Sequence, residues 1–412
     1  MPEPAKLELL TRTPGEQGFQ VHEVESSQAH VLFKPKRLAQ SEWELTAQPR
    51  SPDGSRNYIL RCFRLDRYLL LSPAEKFLWE HFDGSHSLSE IGRAFHFEFG
   101  AFDYAMIRQF LARLYHAGLL EEIEAASAFQ RSHRDTPRRR WTWAVNLFLK
   151  KLASRLSFKL VRADRYCTLI YKRGGFLLFH QVTFWASLIL TALAILAVVR
   201  LAPQAGEISL RLVDRPLLFA AIIISLIPVV SALHVLVHAL ACKSYGRRVR
   251  EMGFFLLQGV LPTFYADVTD IFMSSRRARV IVDSAGPMVE VVLGSLAFLC
   301  AHWSAPGVEQ SIFFWAGVLL WEGAIINLYP FTFLEMDGYN ILADLLAMPT
   351  LRGQALSLFP SLPRRFRAAE KLRRSEWIQV TYLVLCLVSV LVYVATHLDV
   401  IGIEIFNWRI AL

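Results

Sequence analysis

The chain has 412 residues, 53% of them hydrophobic and 29 of them Phe, and its mean hydropathy of +0.32 is too high for an ordinary soluble protein. The formal charge of +9 and the pI near 9.4 gather in short runs beside apolar segments. That is how a membrane protein records its orientation, and it argues against nucleic-acid binding. Cys62, Cys167, Cys242, Cys300 and Cys386 are far apart with no CxxC spacing, so no disulfide framework is expected.

The opening MPEPAKLELL lacks the basic start and apolar core of a signal peptide, so the N-terminus is expected in the cytoplasm. Residues 1–130 read as a small cytosolic α+β module. Segment 57–71, NYILRCFRLDRYLLL, mixes β-branched and aromatic residues with charges and predicts strands. Ser72-Pro73-Ala74-Glu75 is a capping box with proline at the first helical position, opening a helix that runs to Phe82 before Asp83-Gly84. A second helix starts near Ser87. A third runs from Phe102 to His116 and ends at Gly118, and Leu119-Leu120 supply a last apolar edge. Strands, three short helices and a terminal hairpin make a winged-helix-like unit. No internal repeat is visible.

Residues 131–175 are strongly basic. Within them WTWAVNLFLKKLASRLSFKLV spaces apolar residues helically, with Lys150, Lys151 and Arg155 opposite. This predicts an amphipathic helix on an anionic membrane surface, with a solvated linker as the alternative. From 176 to 412 five stretches are long and apolar enough to span, at about 176–199, 216–241, 280–302, 311–329 and 377–397. The fold class is therefore mainly α, a polytopic transmembrane bundle behind a small cytosolic domain. Lys and Arg concentrate before the first span, between the second and third, and between the fourth and fifth. That alternation places the N-terminus inside and the C-terminus outside a bacterial-type inner membrane.

Span two ends SALHVLVHALACKSYG. His234 and His238 are four apart, so both lie on one helix face and can grip one metal ion. Two imidazoles, a carboxylate and a water make an open zinc site suited to catalysis, and histidines in hydrocarbon are functional by default. A pair of structural histidines is the alternative reading. Span four leads into NLYPFTFLEMDGYNILADLL. The loop charges put the ends of spans two and four on one side, so Asp337 can reach both histidines, and Gly338 frees the backbone to turn there.

HVLVHALACKSYGRRV, SAGPMVEVVLG and NLYPFTFLEMDG, in that order, resemble the three motifs of the site-2-protease (M50) intramembrane zinc metalloproteases, over about 216–346. The resemblance implies Zn2+ held by His234, His238 and Asp337. It also implies an extended substrate peptide held by Gly286, Pro287, Asn327 and Pro330. DGSHSLSEIGRAF and FLARLYHAGLL resemble the PqqD-like winged helix that binds leader peptides. Together these resemblances imply handling of a peptide or membrane-protein substrate, beside an exporter or peptide-maturation partner.

The chain departs from the family where HExxH would put its general base. That position is Val235, which cannot accept a proton. Glu290 stands where the family has asparagine, and Glu322 lies inside span four. Three readings stay open. The chain is a pseudoprotease that keeps the metal or the groove; or Glu290 or Glu322 supplies the base; or these carboxylates are structural. Weaker candidates are Asp267 and Asp270, and the stretch MGFFLLQGVLPTFYADV. The latter reads as a hairpin or re-entrant edge for a substrate strand, or as a plain loop. No GxGxxG, P-loop or GxSxG occurs, so nothing supports nucleotide chemistry or serine hydrolysis.

Overall fold

The computed structural model describes residues 6–11, 20–25, 33–100, 104–121, 158–160, 162–257, 261–367 and 371–400. Most of the basic linker, including the expected amphipathic helix, lies outside them. The chain divides into two compact units, Met1–Pro137 and Arg138–Leu412.

In the first unit, β1 (Lys6–Thr11) pairs antiparallel with β2 (Gln20–Glu25), and β3 (Trp43–Arg50), β4 (Arg56–Cys62) and β5 (Arg67–Leu71) form an antiparallel sheet in that order. Three helices follow: α1 (Pro73–His81), α2 (Leu88–Phe99) and α3 (Tyr104–His116). The first two start where their sequences dictate. Ser72 Oγ accepts from the Glu75 amide at 3.2 Å while Glu75 accepts from the Ser72 amide at 2.8 Å, and Ser87 and Glu90 repeat the exchange. Such a cap contributes about 1 kcal/mol to a short helix. Leu60, Leu78, Trp79, Phe82, Ile107, Phe110 and Leu114 are fully buried or nearly so in one core. Each buried side chain of this kind is worth about 1.5–3 kcal/mol. At the expected last apolar edge, Leu120 bridges antiparallel to Arg37.

The second unit contains five helices long and apolar enough to cross a membrane among the described residues: Gln181–Leu212, Pro216–Ser244, Arg276–Trp303, Val308–Leu328 and Arg374–Ala395. The protein is a multi-pass membrane protein of mainly helical fold. Its helices are α4 (Ala163–Lys172), α5 (Gln181–Leu201), α6 (Ala205–Val213), α7 (Pro216–Ser244), α8 (Arg276–Trp303), α9 (Val308–Leu328), α10 (Asp337–Leu345), α11 (Leu351–Leu358), α12 (Leu362–Arg367) and α13 (Arg374–Val400).

Where lipid removes the usual hydrophobic drive between helices, close backbone approach and polar contacts bind them. A Cβ on Gly294 of α8 would lie 2.4 Å from Trp321 Cδ1 on α9, so only glycine admits that ring, and the indole donates to the Val291 carbonyl at 3.1 Å. Arg279 of α8 donates to Asp344 of α10 at 2.8 and 3.0 Å, a buried pair that fixes the short helix α10 against the long one. The loop between α9 and α10 is gripped as well. Tyr382 of α13 donates to the Thr332 carbonyl at 2.6 Å, and Arg352 donates to the Phe333 carbonyl at 3.0 Å.

A second sheet has the order β6 (Phe158–Lys159), β7 (Glu251–Leu257), β8 (Leu261–Asp267). The stretch read as a hairpin or loop is thus an antiparallel hairpin, and Gly253 is required in it. A Cβ there would lie 2.3 Å from the Phe158 carbonyl oxygen. Asp267 pairs with Arg250 at 3.0 Å and Asp270 accepts from the Arg248 amide at 2.9 Å, so both carboxylates are engaged within the fold.

Candidate metal centre

His234 and His238 occupy successive turns near the end of α7, and their four-residue spacing stacks both rings on one face. The rings are held from behind. His238 Nδ1 lies 2.7 Å from the Val282 carbonyl of α8, and a carbonyl only accepts, so Nδ1 carries the proton and Nε2 faces outward. His234 Nδ1 lies 2.8 Å from Glu290 Oε1, also on α8. Glu290 is itself buried, and Asn327 of α9 donates to both its oxygens at 3.2 Å. Both rings thus present Nε2 to the same space.

The third member arrives from α10. A Cβ on Gly338 would sit 2.1 Å from the Leu328 carbonyl oxygen, so glycine alone allows the start of α10 to close onto the end of α9. Asp337, the first residue of α10, consequently enters the cluster. Its Oδ2 lies 3.1 Å from His234 Nε2 and 3.4 Å from His238 Nε2, and the two Nε2 atoms are 3.0 Å apart. Burial would raise the Asp337 carboxyl, but hydrogen bonding and attraction from the two imidazoles outweigh it and hold it at about 2.

His234, His238 and Asp337 could hold one metal ion, since one ligand atom from each lies within 4.8 Å of the others. The donor set fits zinc. Bonds of about 2.0–2.2 Å to nitrogen and oxygen in a tetrahedron put neighbouring ligand atoms about 3.3 Å apart. The observed edges of 3.0, 3.1 and 3.4 Å bracket that value. Three protein ligands leave the fourth position open.

Gly286, on the adjoining turn of α8, makes the arrangement possible. A Cβ there would lie 2.3 Å from His238 Nε2 and 2.5 Å from His234 Nε2. This glycine, with Pro287, is buried in α8. Expected as a peptide-holding residue, it gives the rings their clearance. Asn327, expected in the same role, has its amide engaged by Glu290, and Pro330 follows the end of α9 at Leu328.

The two carboxylates considered as bases part company. Glu290 lies behind His234, across the ring from the Nε2 atoms. Glu322 is exposed on α9 and takes no part in these contacts. Val235 is half-buried. Reading the sequence missed the Val282 carbonyl, which no side-chain pattern advertises.

A Bacillus subtilis (strain 168) protein with the provisional name peptide zinc metalloprotease protein YydH is 30% identical over 118 residues, which are 28% of this chain and 44% of that protein. The match therefore spans less than half of the relative's length, and it supports a zinc metalloprotease-like relationship. No known family profile matches the chain, and no solved structure matches it.

Proposed function

We propose that the chain is a zinc-binding membrane protein of the site-2-protease (M50) type, acting on a peptide or membrane-protein substrate at the cytoplasmic face of a bacterial inner membrane. One observation carries the reading: two outward-facing imidazole nitrogens and a carboxylate oxygen, from two helices, meet within 4.8 Å. His234, His238 and Asp337 would hold Zn2+, which when bound polarises a carbonyl as a Lewis acid. Glu290 holds His234 in the tautomer that offers Nε2, and Asn327 holds Glu290. β8, at the edge of its sheet among the described residues, would offer main-chain groups to an extended substrate. The N-terminal unit, in its PqqD-like reading, would recognise a leader peptide and bring it to an exporter or maturation partner.

A second reading keeps the metal and the groove without cleavage, and the valine at position 235 favours it. Metal analysis of the purified protein tests the shared core. About one zinc per chain is expected, with His234→Ala at background, and a wild type equally free of metal would end both readings. Val235→Glu separates them, because peptide cleavage appearing only in that variant would mark the natural chain as a non-cutting binder.

A further inference from the structure

One stripe of α9 is packed and the opposite stripe is half bare. Gln310, Phe314, Gly317, Leu320 and Ala324 are buried along the first. Glu322 is two residues from Ala324, about 200° of helical turn, so it lies on the other side, with Ile325, Ile326 and Tyr329. The outer part of this second stripe is covered by the chain itself. Ser311 is buried there, and the Trp315 indole donates to the Ser209 carbonyl of α6 at 3.4 Å and packs on Phe219 of α7 at 5.1 Å. The inner part, Glu322 to Ile326, is exposed down to Tyr329, whose hydroxyl meets Ser389 of α13 at 2.6 Å. That window is about 10 Å long, two helical turns.

Glu322 has no hydrogen-bond or ion-pair partner among the described residues. It stands about 9 Å from the inner end of α9 by the helical rise, and a carboxylate at such a depth calls for a cation or a hydrogen-bond donor. A second copy of the chain does not supply the cation. Copies are inserted the same way round, so each presents its residues at the same depth. Gly294 of α8 meets Trp321, the neighbour of Glu322, and Ser295 donates to Thr191 of α5 at 3.4 Å. Arg200 is nine residues past Thr191 on α5, about 14 Å further out. On the inner side, Glu290 is level with Gly323, and Gly286 faces His238. Lys243 is five residues past His238 on α7, about 14 Å further in than Glu290, and it is already paired with Asp164 at 2.7 Å.

We propose that the bare stripe of α9 docks a transmembrane helix of a different membrane protein, one that carries a lysine or arginine at the depth of Glu322. The cation pairs with the Glu322 carboxylate, and Ile325 and Ile326 give the apolar shoulders against which the incoming helix packs. Covered groups at both ends, Trp315 and Tyr329, limit the contact to two turns. The stripe is separate from the metal centre. Asn327, which holds Glu290, is turned about 140° around α9 from Glu322, so the partner and the zinc ligands use different faces of one helix.

Synthetic polyleucine transmembrane peptides test this. Full-length protein with a donor fluorophore is reconstituted in phosphatidylcholine vesicles, and binding of acceptor-labelled peptides is read by energy transfer. One peptide carries a single lysine at the depth of Glu322, and in two others leucine or glutamate takes that place. We expect the lysine peptide to bind wild type roughly 3- to 20-fold more tightly than the leucine peptide, the range of one polar contact between spans. The preference should vanish in Glu322→Gln and pass to the glutamate peptide in Glu322→Lys. Equal binding of the lysine and leucine peptides to wild type, or an undiminished preference in Glu322→Gln, would overturn the proposal. Self-association of labelled copies that is lost in Glu322→Gln would overturn it as well, by giving the stripe to a second copy.

Discussion

Replacing Gly286 with alanine adds one carbon at the tightest point of the metal centre. The new Cβ would stand 2.3 Å from His238 Nε2 and 2.5 Å from His234 Nε2, where ordinary contact begins at 3.4 Å. The rings must therefore retreat by 3.4 − 2.3 = 1.1 Å and 3.4 − 2.5 = 0.9 Å. Zinc–ligand distances tolerate only about 0.2 Å. Overpacking of this kind costs about 1–3 kcal/mol, and here it falls on the ligands, so zinc should bind roughly 5- to 150-fold more weakly. The helix itself gains, because alanine is favoured over glycine inside a helix by up to about 1 kcal/mol. Chelator competition on purified protein measures the affinity, and circular dichroism checks the fold. Gly353→Ala is the control, since a Cβ there meets nothing within 4 Å. Wild-type zinc affinity in a folded Gly286→Ala protein would refute the geometry of the centre.

Glu290→Gln keeps the shape but removes the charge that holds His234 Nδ1–H at 2.8 Å. Zinc affinity should fall roughly 10- to 100-fold, as is typical when a ligand's carboxylate partner is lost, and titration with a metal indicator reads it. Asp344→Ala strands the buried Arg279 guanidinium, which should cost about 3–5 kcal/mol in thermal unfolding; a double change to apolar residues at both positions should recover most of it. Glu322→Gln should leave zinc content unaltered, because Glu322 is exposed and outside the ring cluster; loss of zinc in that variant would return it to the site.

The spans, the capped helices and the histidine pair were legible because each has a local signature. Eighteen or more apolar residues announce a span, Ser72 with Glu75 announces a helix start, and two histidines four apart announce a shared face. The meeting of Asp337 with those histidines came from loop charge, a pattern that encodes sidedness. What stayed hidden depends on contacts between helices. Whether Glu290 meets the front or the back of His234 is set by the rotation of α8 against α7. Nothing in the residue itself announces that Gly286 clears two rings or that Gly338 seats α10 on α9. Glycines of opposite use look alike in sequence. The hairpin of β7 and β8 was ambiguous for a related reason, since its short apolar runs alternate only in part.

Polar groups in apolar spans cost about 2–3 kcal/mol each on insertion scales, and this chain concentrates them. His234, His238, Glu290 and Asn327, from three different spans, gather with Asp337 at one junction, while Glu322 stands apart. Most of the cost is offset there by pairing, because the rings have their Nδ1 partners and Glu290 has Asn327. A glutamate at position 235 would bring its charge on the histidine helix, whereas this chain carries Glu290 on α8, behind the ring of His234. That carboxylate is committed to His234, and Asn327 holds it there.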